Sequence, residues 1–487
     1  MYGVNSIRYA LGVHTPRRIL LALGLLLILA VGLAPSRPPA PAQAVRPPLP
    51  AWLEGYRVPV RRILERATAS REAWDRLAEL TDTFGHRLSG SQALDDAIAW
   101  AVARMRADGF DRVWTDPVKV PHWVRGRESL AIVAPRQHDL PVLGLGMSVG
   151  TPAEGIEGDL LVVESFEELE RRREDVPGRI VLYNVPYRGY GATVAYRTTG
   201  ASQAARHGAV AVLVRSIGPD GLRTPHTGTL LYRSAIPRIP AAAVAAEDAR
   251  RLARMVARGD RVRLRLTMEA RQLPDADSAN VIAELRGTER PDEIVLVSGH
   301  LDSWDVGTGA SDDGGGCIAA WEVARVLMAL ELRPRRTIRV VLFTNEENGL
   351  RGATAYRDRY RRQLSDHVLM IESDLGVSTP RGVGFSGNDA ARAQIVAIAS
   401  LLAPIGATHV GPSGGGADIA PSVAAAGIPA LSPEVDPSEY FVVHHTQADT
   451  IERIDPAAMG RHVAALAVMA YVVADMPVRL GEVVGTR

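Results

Sequence analysis

The chain has 487 residues, a formal net charge of +1, 46% apolar residues and 23% charged residues. That length points to about two or three domains with cores of their own, and the near-zero charge excludes recruitment of nucleic acid or a membrane surface by a bulk field. Lys119 is the lone lysine among 56 basic residues, which reads as the codon bias of a GC-rich bacterial genome and not as an arginine-rich binding face. The one cysteine, Cys317, excludes an intrachain disulfide.

Taken in chain order, Arg17 and Arg18 precede an apolar run at 19–34, and a Pro-rich tract follows at 35–50. A basic segment before an apolar run is the layout of an export signal. Ala42-Gln43-Ala44 fits a small-x-small cleavage site, and the run is slightly short for a membrane span. Residues 1–50 are therefore expected to be a cleaved signal or a retained anchor plus a stiff linker. The segment would engage export machinery or the membrane and make the protein periplasmic or extracellular.

Helical spacing follows at 59–69 and 70–84, where Trp74, Leu77, Leu80 and Phe84 share a face. Ser91 is a candidate N-cap for a further helix with the stripe Leu94, Ile98, Ala101 and Met105. Residues 51–127 are expected to be the N-terminal part of the domain completed by 271–487, the part of the chain expected to carry any catalytic site. The texture changes at 128–270, where short β-type runs at 160–163, 179–183, 210–214 and 262–268 are punctuated by Gly and Pro. A helix is expected at 202–207. His207 and His226 are isolated, as core or solvated histidines are, and no cluster there has catalytic spacing. This reads as a β-rich inserted module.

From 271 to 487 strands and helices alternate. Strands are expected at 280–285, 294–297, 338–343, 368–371 and 428–431, and helices at 317–330, 352–360 and 390–402. Asp455-Pro456 opens a last helix to about residue 473. Such alternation predicts an α/β domain: a helix-sandwiched, mostly parallel (mixed) sheet.

Three of these strands end in ligand-type residues. The run at 294–297 leads into His300-Leu-Asp302, with Asp312-Asp313 beyond; 338–343 leads into Glu346-Glu347; and 368–371 leads into Glu372-Ser-Asp374. Open α/β sheets build their sites at strand carboxyl ends. His444-His445 adds imidazoles on a loop before the last helix. A two-metal hydrolase needs a ligand shared between ions, end ligands for each, and a base for the attacking water. Adjacent Glu346 and Glu347 suit a division between base and ligand. Asp302, two residues after His300, can reach the other imidazole nitrogen with its carboxylate and fix the tautomer. Singly, each acid is as readily a helix cap or turn former. Jointly, four separate chain returns carry ligand types. Cys317 beside Trp321 reads as a buried structural thiol, and His367 and His462 as structural.

The run from His300 through Asp312-Asp313 to Gly316, together with the segments at 82–91, 121–129, 143–152 and 471–476, resembles the plasma glutamate carboxypeptidase (carboxypeptidase Q) family of the co-catalytic dizinc aminopeptidase superfamily. The resemblance implies two zinc ions per chain. His300 and Asp374 would hold one ion, Glu347 and His445 the other, and Asp312 would be shared by both. The spacing to Thr446 and Asp449-Thr450 favours His445 over His444. The resemblance also implies Glu346 as general base toward a water held between the metals, and a cis Asp312–Asp313 peptide. It further implies a protease-associated identity for the insert, and a homodimer. The expected activity is hydrolysis of dipeptides or short peptides with a free N-terminus, with an aminopeptidase on longer peptides as the alternative. An inert binding protein of the same fold would have lost ligands, and none is missing; a single-zinc transferase would not need the full set.

Overall fold

The computed structural model describes residues 49–482. The apolar run at 19–34 and the Pro-rich tract up to residue 48, with the signal or anchor read there, lie outside the described residues.

The first of two eight-stranded sheets runs Arg112–Val124, Arg271–Leu285, Arg336–Phe343, Arg290–His300, His367–Glu372, Ala430–Glu434, Gly382–Ser386, His409–Gly411. At its centre the strands are parallel, with His300 opposite Phe343 and Ser298 opposite Glu372. The sheet is mixed, because antiparallel pairings occur toward both margins. Parallel strands covered on both faces carry near-continuous apolar sequence, and every residue of Arg336–Phe343 is buried.

Alternate side chains point to opposite faces. Val295 and Val297 pack into a core with Arg57–Ala69, Glu72–Phe84, Gly315–Ala329 and Pro456–Asp475, while Ile294 and Leu296 pack with Tyr356, Leu364 and Ile419. Asp455 caps the last helix by accepting from the N–H groups of Ala457 and Ala458. That helix is long and apolar enough for a membrane span, but its most apolar window is 89% buried inside the protein, so it is a core helix. Ser91 caps Gln92–Ala107 through the N–H of Leu94. In the Glu72–Phe84 stripe, Leu77 and Leu80 are buried and Trp74 and Phe84 only half-buried.

The strand Arg112–Val124 had no counterpart in the sequence reading. Pro117 and Pro121 disguise it, and they are tolerated because it lies at the sheet margin, where a missing N–H costs no ladder bond.

The chain leaves this sheet after Val124 and re-enters it at Arg271. Between these points a second eight-stranded sheet forms, in the order His138–Leu140, Glu128–Ala134, Arg263–Met268, Ile156–Val163, Ile180–Tyr183, Ala211–Arg215, Ala241–Val244, Val142–Gly144. Its texture is more than β: Ala195–Ala205 packs on one face, against Val212 and Val214, and Ala246–Ala257 on the other, against Ala211 and Leu213. The helix expected at 202–207 starts earlier and ends at Ala205.

Candidate metal centre

Register brings the site together. Because Arg336–Phe343, Arg290–His300 and His367–Glu372 are parallel neighbours, their carboxyl ends emerge on one rim. His300 closes one strand; Glu346 and Glu347 follow the second; Asp374 follows the third. Asp312 comes from the turn before helix Gly315–Ala329, on a cis Asp312–Asp313 peptide. This turn lies so close to the strands that a Cβ on Gly299 would run into Asp313 and the Cys317 nitrogen, and one on Gly316 into the Ser373 carbonyl. His445 arrives from the loop after Tyr440–Val443, in left-handed backbone at φ 60°.

The five residues expected as ligands share one pocket. His300 Nε2 lies 3.3 Å from Asp312 Oδ1 and 3.4 Å from Asp374 Oδ1. On the other side His445 Nε2 lies 3.2 Å from Asp312 Oδ2 and 3.0 Å from Glu347 Oε2. Asp312 thus has one oxygen turned to each half. His444 Nε2 is farther from Asp312, at 3.6 Å, and its ring stacks on that of His445 at 3.5 Å between centroids.

The other edge of each imidazole indicates the tautomer. His300 Nδ1 lies 2.9 Å from the Asp302 carbonyl oxygen, and His445 Nδ1 lies 3.3 Å from the Thr227 carbonyl oxygen. With Nδ1–H donating, the His300 Nε2 lone pair faces carboxylate oxygens, acceptor against acceptor, whereas His445 Nδ1 also meets Arg197 NH1 at 3.3 Å. His300 Nε2, Asp312 Oδ2 and Glu347 Oε1 are buried with no hydrogen-bond partner among the described residues. Only a proton or a cation reconciles these groups, and this donor set of imidazole nitrogen and carboxylate oxygen suits zinc.

The electrostatics carry the same message. Burial opposes charge on His300, yet Asp374 and Asp312 lift its pKa well above the usual histidine range. Burial also opposes charge on His445, but Glu347 and Asp312 raise it to about 10. Among the acids, burial pushes Glu346 well up, reinforced by Asp374 and Glu347. Glu347 rises to about 7 through burial and the nearby Asp312. Asp312 goes the other way: burial would raise it, but hydrogen bonds from His300 and His445, once a proton sits on their Nε2 atoms, hold it well below the carboxylate range. Carboxylates this crowded and dry repel each other unless cations lie between them.

Supporting groups hold the ligands. Asp302 differs from the sequence expectation: its main-chain carbonyl meets His300 Nδ1, and its carboxylate stands 3.8 Å off. The carboxylate instead accepts from the N–H groups of Glu346 at 3.1 Å and Glu347 at 3.4 Å. Asp313 is turned away from the pocket and accepts from the N–H groups of His300 and Gly316. Cys317, His367 and His462 are all buried, and the two histidines bond Tyr356 and Ser373.

Several residues were not foreseen. Asp449 accepts from the N–H groups of Ser311 and Asp312, at 2.7 and 3.1 Å. Fully buried Arg87 donates to the carbonyls of Gly85, Leu301, Thr308 and Gly309, bracing the 301–309 loop. The second sheet supplies a wall of the site. Tyr190, Arg197 and Leu231 line a cavity of about 570 Å³ with Glu346, Asp374, Tyr440 and His444. His226, isolated in sequence, is buried against Gly218 and the Phe441 backbone, near the two loop histidines. Arg87 lay inside a segment marked by family resemblance, and Asp449 entered only through the spacing that favours His445; the wall residues carried no local signal.

Comparisons with known proteins agree with this geometry. Residues 280–470 match peptidase family M28. Carboxypeptidase Q of Bos taurus is 46% identical over 408 residues, covering 84% of this chain and 86% of that protein. The solved structure of a peptidase M28 precursor from Shewanella amazonensis superposes with a TM-score of 0.84 at 35% identity, covering 87% of this chain and 98% of that one. A zinc aminopeptidase from Bacillus subtilis, 22% identical, shares the fold with a TM-score of 0.62 over 84% of this chain and 96% of its own. With likeness of that breadth around the converging histidines and carboxylates, the chain belongs to the carboxypeptidase Q branch of peptidase family M28 and is a metallopeptidase.

Proposed function

We propose that this chain is an exported dizinc peptidase that hydrolyses dipeptides and short peptides with a free N-terminus. The observation that carries the reading is the split of Asp312, one oxygen toward His300 and Asp374 and the other toward His445 and Glu347. On this reading His300 and Asp374 would hold one ion, Glu347 and His445 the second, and Asp312 both. When bound, the ions polarise the scissile carbonyl and favour deprotonation of water.

The chain's own groups do the rest. Glu346 lines the cavity without being part of either half of the ligand set. It takes the proton of the attacking water and passes it to the leaving amine. Asp302 fixes the Glu346–Glu347 turn through two N–H groups, and its carbonyl holds His300 in the tautomer a ligand requires. The unit at 128–270 is read as a protease-associated module that walls the cavity. The 19–34 run is read as the export signal or anchor, and a homodimer as the assembly.

A second reading, an aminopeptidase on longer peptides, is favoured by one feature: past Leu375 the cavity adjoins another of about 560 Å³ lined by Gly414, Gly415 and Pro433. Metal analysis of the purified protein, with dipeptide and tetrapeptide hydrolysis measured before and after chelation, tests both. Chelation-sensitive turnover with two zinc ions per chain is expected. A metal-free protein of undiminished activity would end the dizinc reading.

A further inference from the structure

One wall of the cavity carries a buried cation without a counter-charge. Arg197, on helix Ala195–Ala205, is 4% exposed. Its NH2 donates to Tyr190 Oη at 2.6 Å, and its NH1 lies 3.4 Å from the Thr227 carbonyl and 3.3 Å from His445 Nδ1. Nε has no partner. Among the described residues no carboxylate stands within ion-pair distance of it. The local sequence provides none: residues 188–238 hold seven arginines and a single acid, Asp220. That acid is taken by Arg215 and Arg250. Nor does the metal centre have charge to spare, since Asp312, Glu346, Glu347 and Asp374 carry as many negative charges as two divalent ions carry positive ones. A guanidinium removed from water without an anion is costly, and this one is kept at the edge of a substrate cavity.

Tyr190 gives that charge a contact atom. Its oxygen accepts from Arg197, so its own hydrogen must go elsewhere, and among the described residues it meets no acceptor. The ring stands edge-on to His444 at 5.1 Å, facing the same cavity as Glu346 and Asp374. A phenol polarised by a guanidinium is a strong donor to a carboxylate.

We propose that Tyr190, with Arg197 behind it, anchors the C-terminal carboxylate of a dipeptide whose scissile carbonyl lies at the metal centre. The proposal rests on the peptidase reading above and narrows it. Arg197 abuts the back of His445, so the anion is held close to the ligand atoms. A dipeptide places its carboxylate on the residue directly after the scissile bond. A tetrapeptide places it two residues, about 7 Å, further out. The wall thus selects for length without contacting either side chain of the substrate.

The test uses the zinc-loaded full chain and cleavage of the Ala–Leu bond in Ala-Leu and in its C-terminal amide. Wild type should favour the free acid in kcat/KM by roughly 10- to 100-fold, the worth of a charge-assisted hydrogen bond. Tyr190→Phe and Arg197→Met should each shrink that ratio toward one, mainly through KM for the acid, and Arg197→Lys should keep part of it. If these residues only hold His444 and His445 in place, both substrates would suffer alike and the ratio would persist; that result overturns the anchor. A wild type indifferent to the amide overturns it too, while leaving the peptidase reading intact. A wild type that cleaves neither substrate removes that reading and the anchor with it.

Discussion

The Asp302 carboxylate accepts a hydrogen bond from the backbone N–H of Glu346 at 3.1 Å, so the loop that begins with one metal-type ligand holds the proposed base of another. Its second oxygen takes the N–H of Glu347. Asp302→Asn keeps one acceptor but turns an amide N–H toward one of these donors. Groups that orient ligands and bases are worth about 10- to 100-fold in activity. Asp302→Asn should lower kcat within that range while both metals stay bound. An unchanged kcat would mean that the turn holds its place without the carboxylate.

Glu346→Gln separates base from ligand. The amide matches the carboxylate in shape and cannot accept the water proton, so turnover should fall by roughly 100- to 10,000-fold. Metal content should be unchanged, because the groups that face one another across the centre belong to other residues. Kinetics and elemental analysis on one preparation decide it. Loss of an ion would make Glu346 a ligand; retained turnover would remove it as base.

Asp312→Ala and Asp374→Ala should differ in stoichiometry. Asp312 serves both halves, and among the described residues Asp374 is paired only with His300. Loss of Asp312 should empty both positions, whereas loss of Asp374 should weaken one, by at least about 10- to 100-fold. Titration with zinc, followed by atomic absorption after gel filtration, measures both. An Asp312→Ala protein that still carried two ions would refute the shared role.

Much of this was legible because the signals were local. Strand and ligand are contiguous in 294–300, in 338–347 and in 368–374, so apolar runs ending in His or acid announced both the central sheet and its rim. What escaped the sequence is what tertiary contact decides. Arg112–Val124 was hidden by prolines that only an edge strand accepts. The Asp302 carboxylate was expected on His300, but the loop turns so that its carbonyl meets the imidazole and its carboxylate the Glu346–Glu347 backbone. Arg197 and Thr227, from a helix and a loop around the second sheet, meet His445, and Tyr190 meets His444, only once the two sheets are docked.

Arg87 tests the packing of the ligand loop. Its guanidinium is fully buried and bonded to main-chain carbonyls at 2.7–3.0 Å. Arg87→Met fills a similar volume but leaves those carbonyls unpaired, at about 1–3 kcal/mol for each that water cannot reach. A loss of about 3–5 kcal/mol in unfolding free energy is expected, with weaker metal retention, since the braced loop joins His300 to Asp312. Denaturant unfolding of both proteins without metal measures the first quantity. A difference below about 1 kcal/mol would show that the loop needs no brace.

Metal should reverse the sign of the pH dependence. Without ions, burial and the nearby Asp312 lift Glu347 from 4.5 to about 7, and burial, with Asp312 adding to it, lifts Asp449 from 3.8 to about 7. In that window the native state holds protons that the unfolded chain has released. Unfolding free energy therefore falls as pH rises from about 5 to 7. The loss should be on the order of 1–3 kcal/mol per group. Zinc inverts this, because ligands must be deprotonated to bind and affinity climbs over the same range. Melting temperatures taken from about pH 5 to 7.5 should fall in chelator and rise in excess zinc. Parallel curves would mean that Glu347 does not face a cation site.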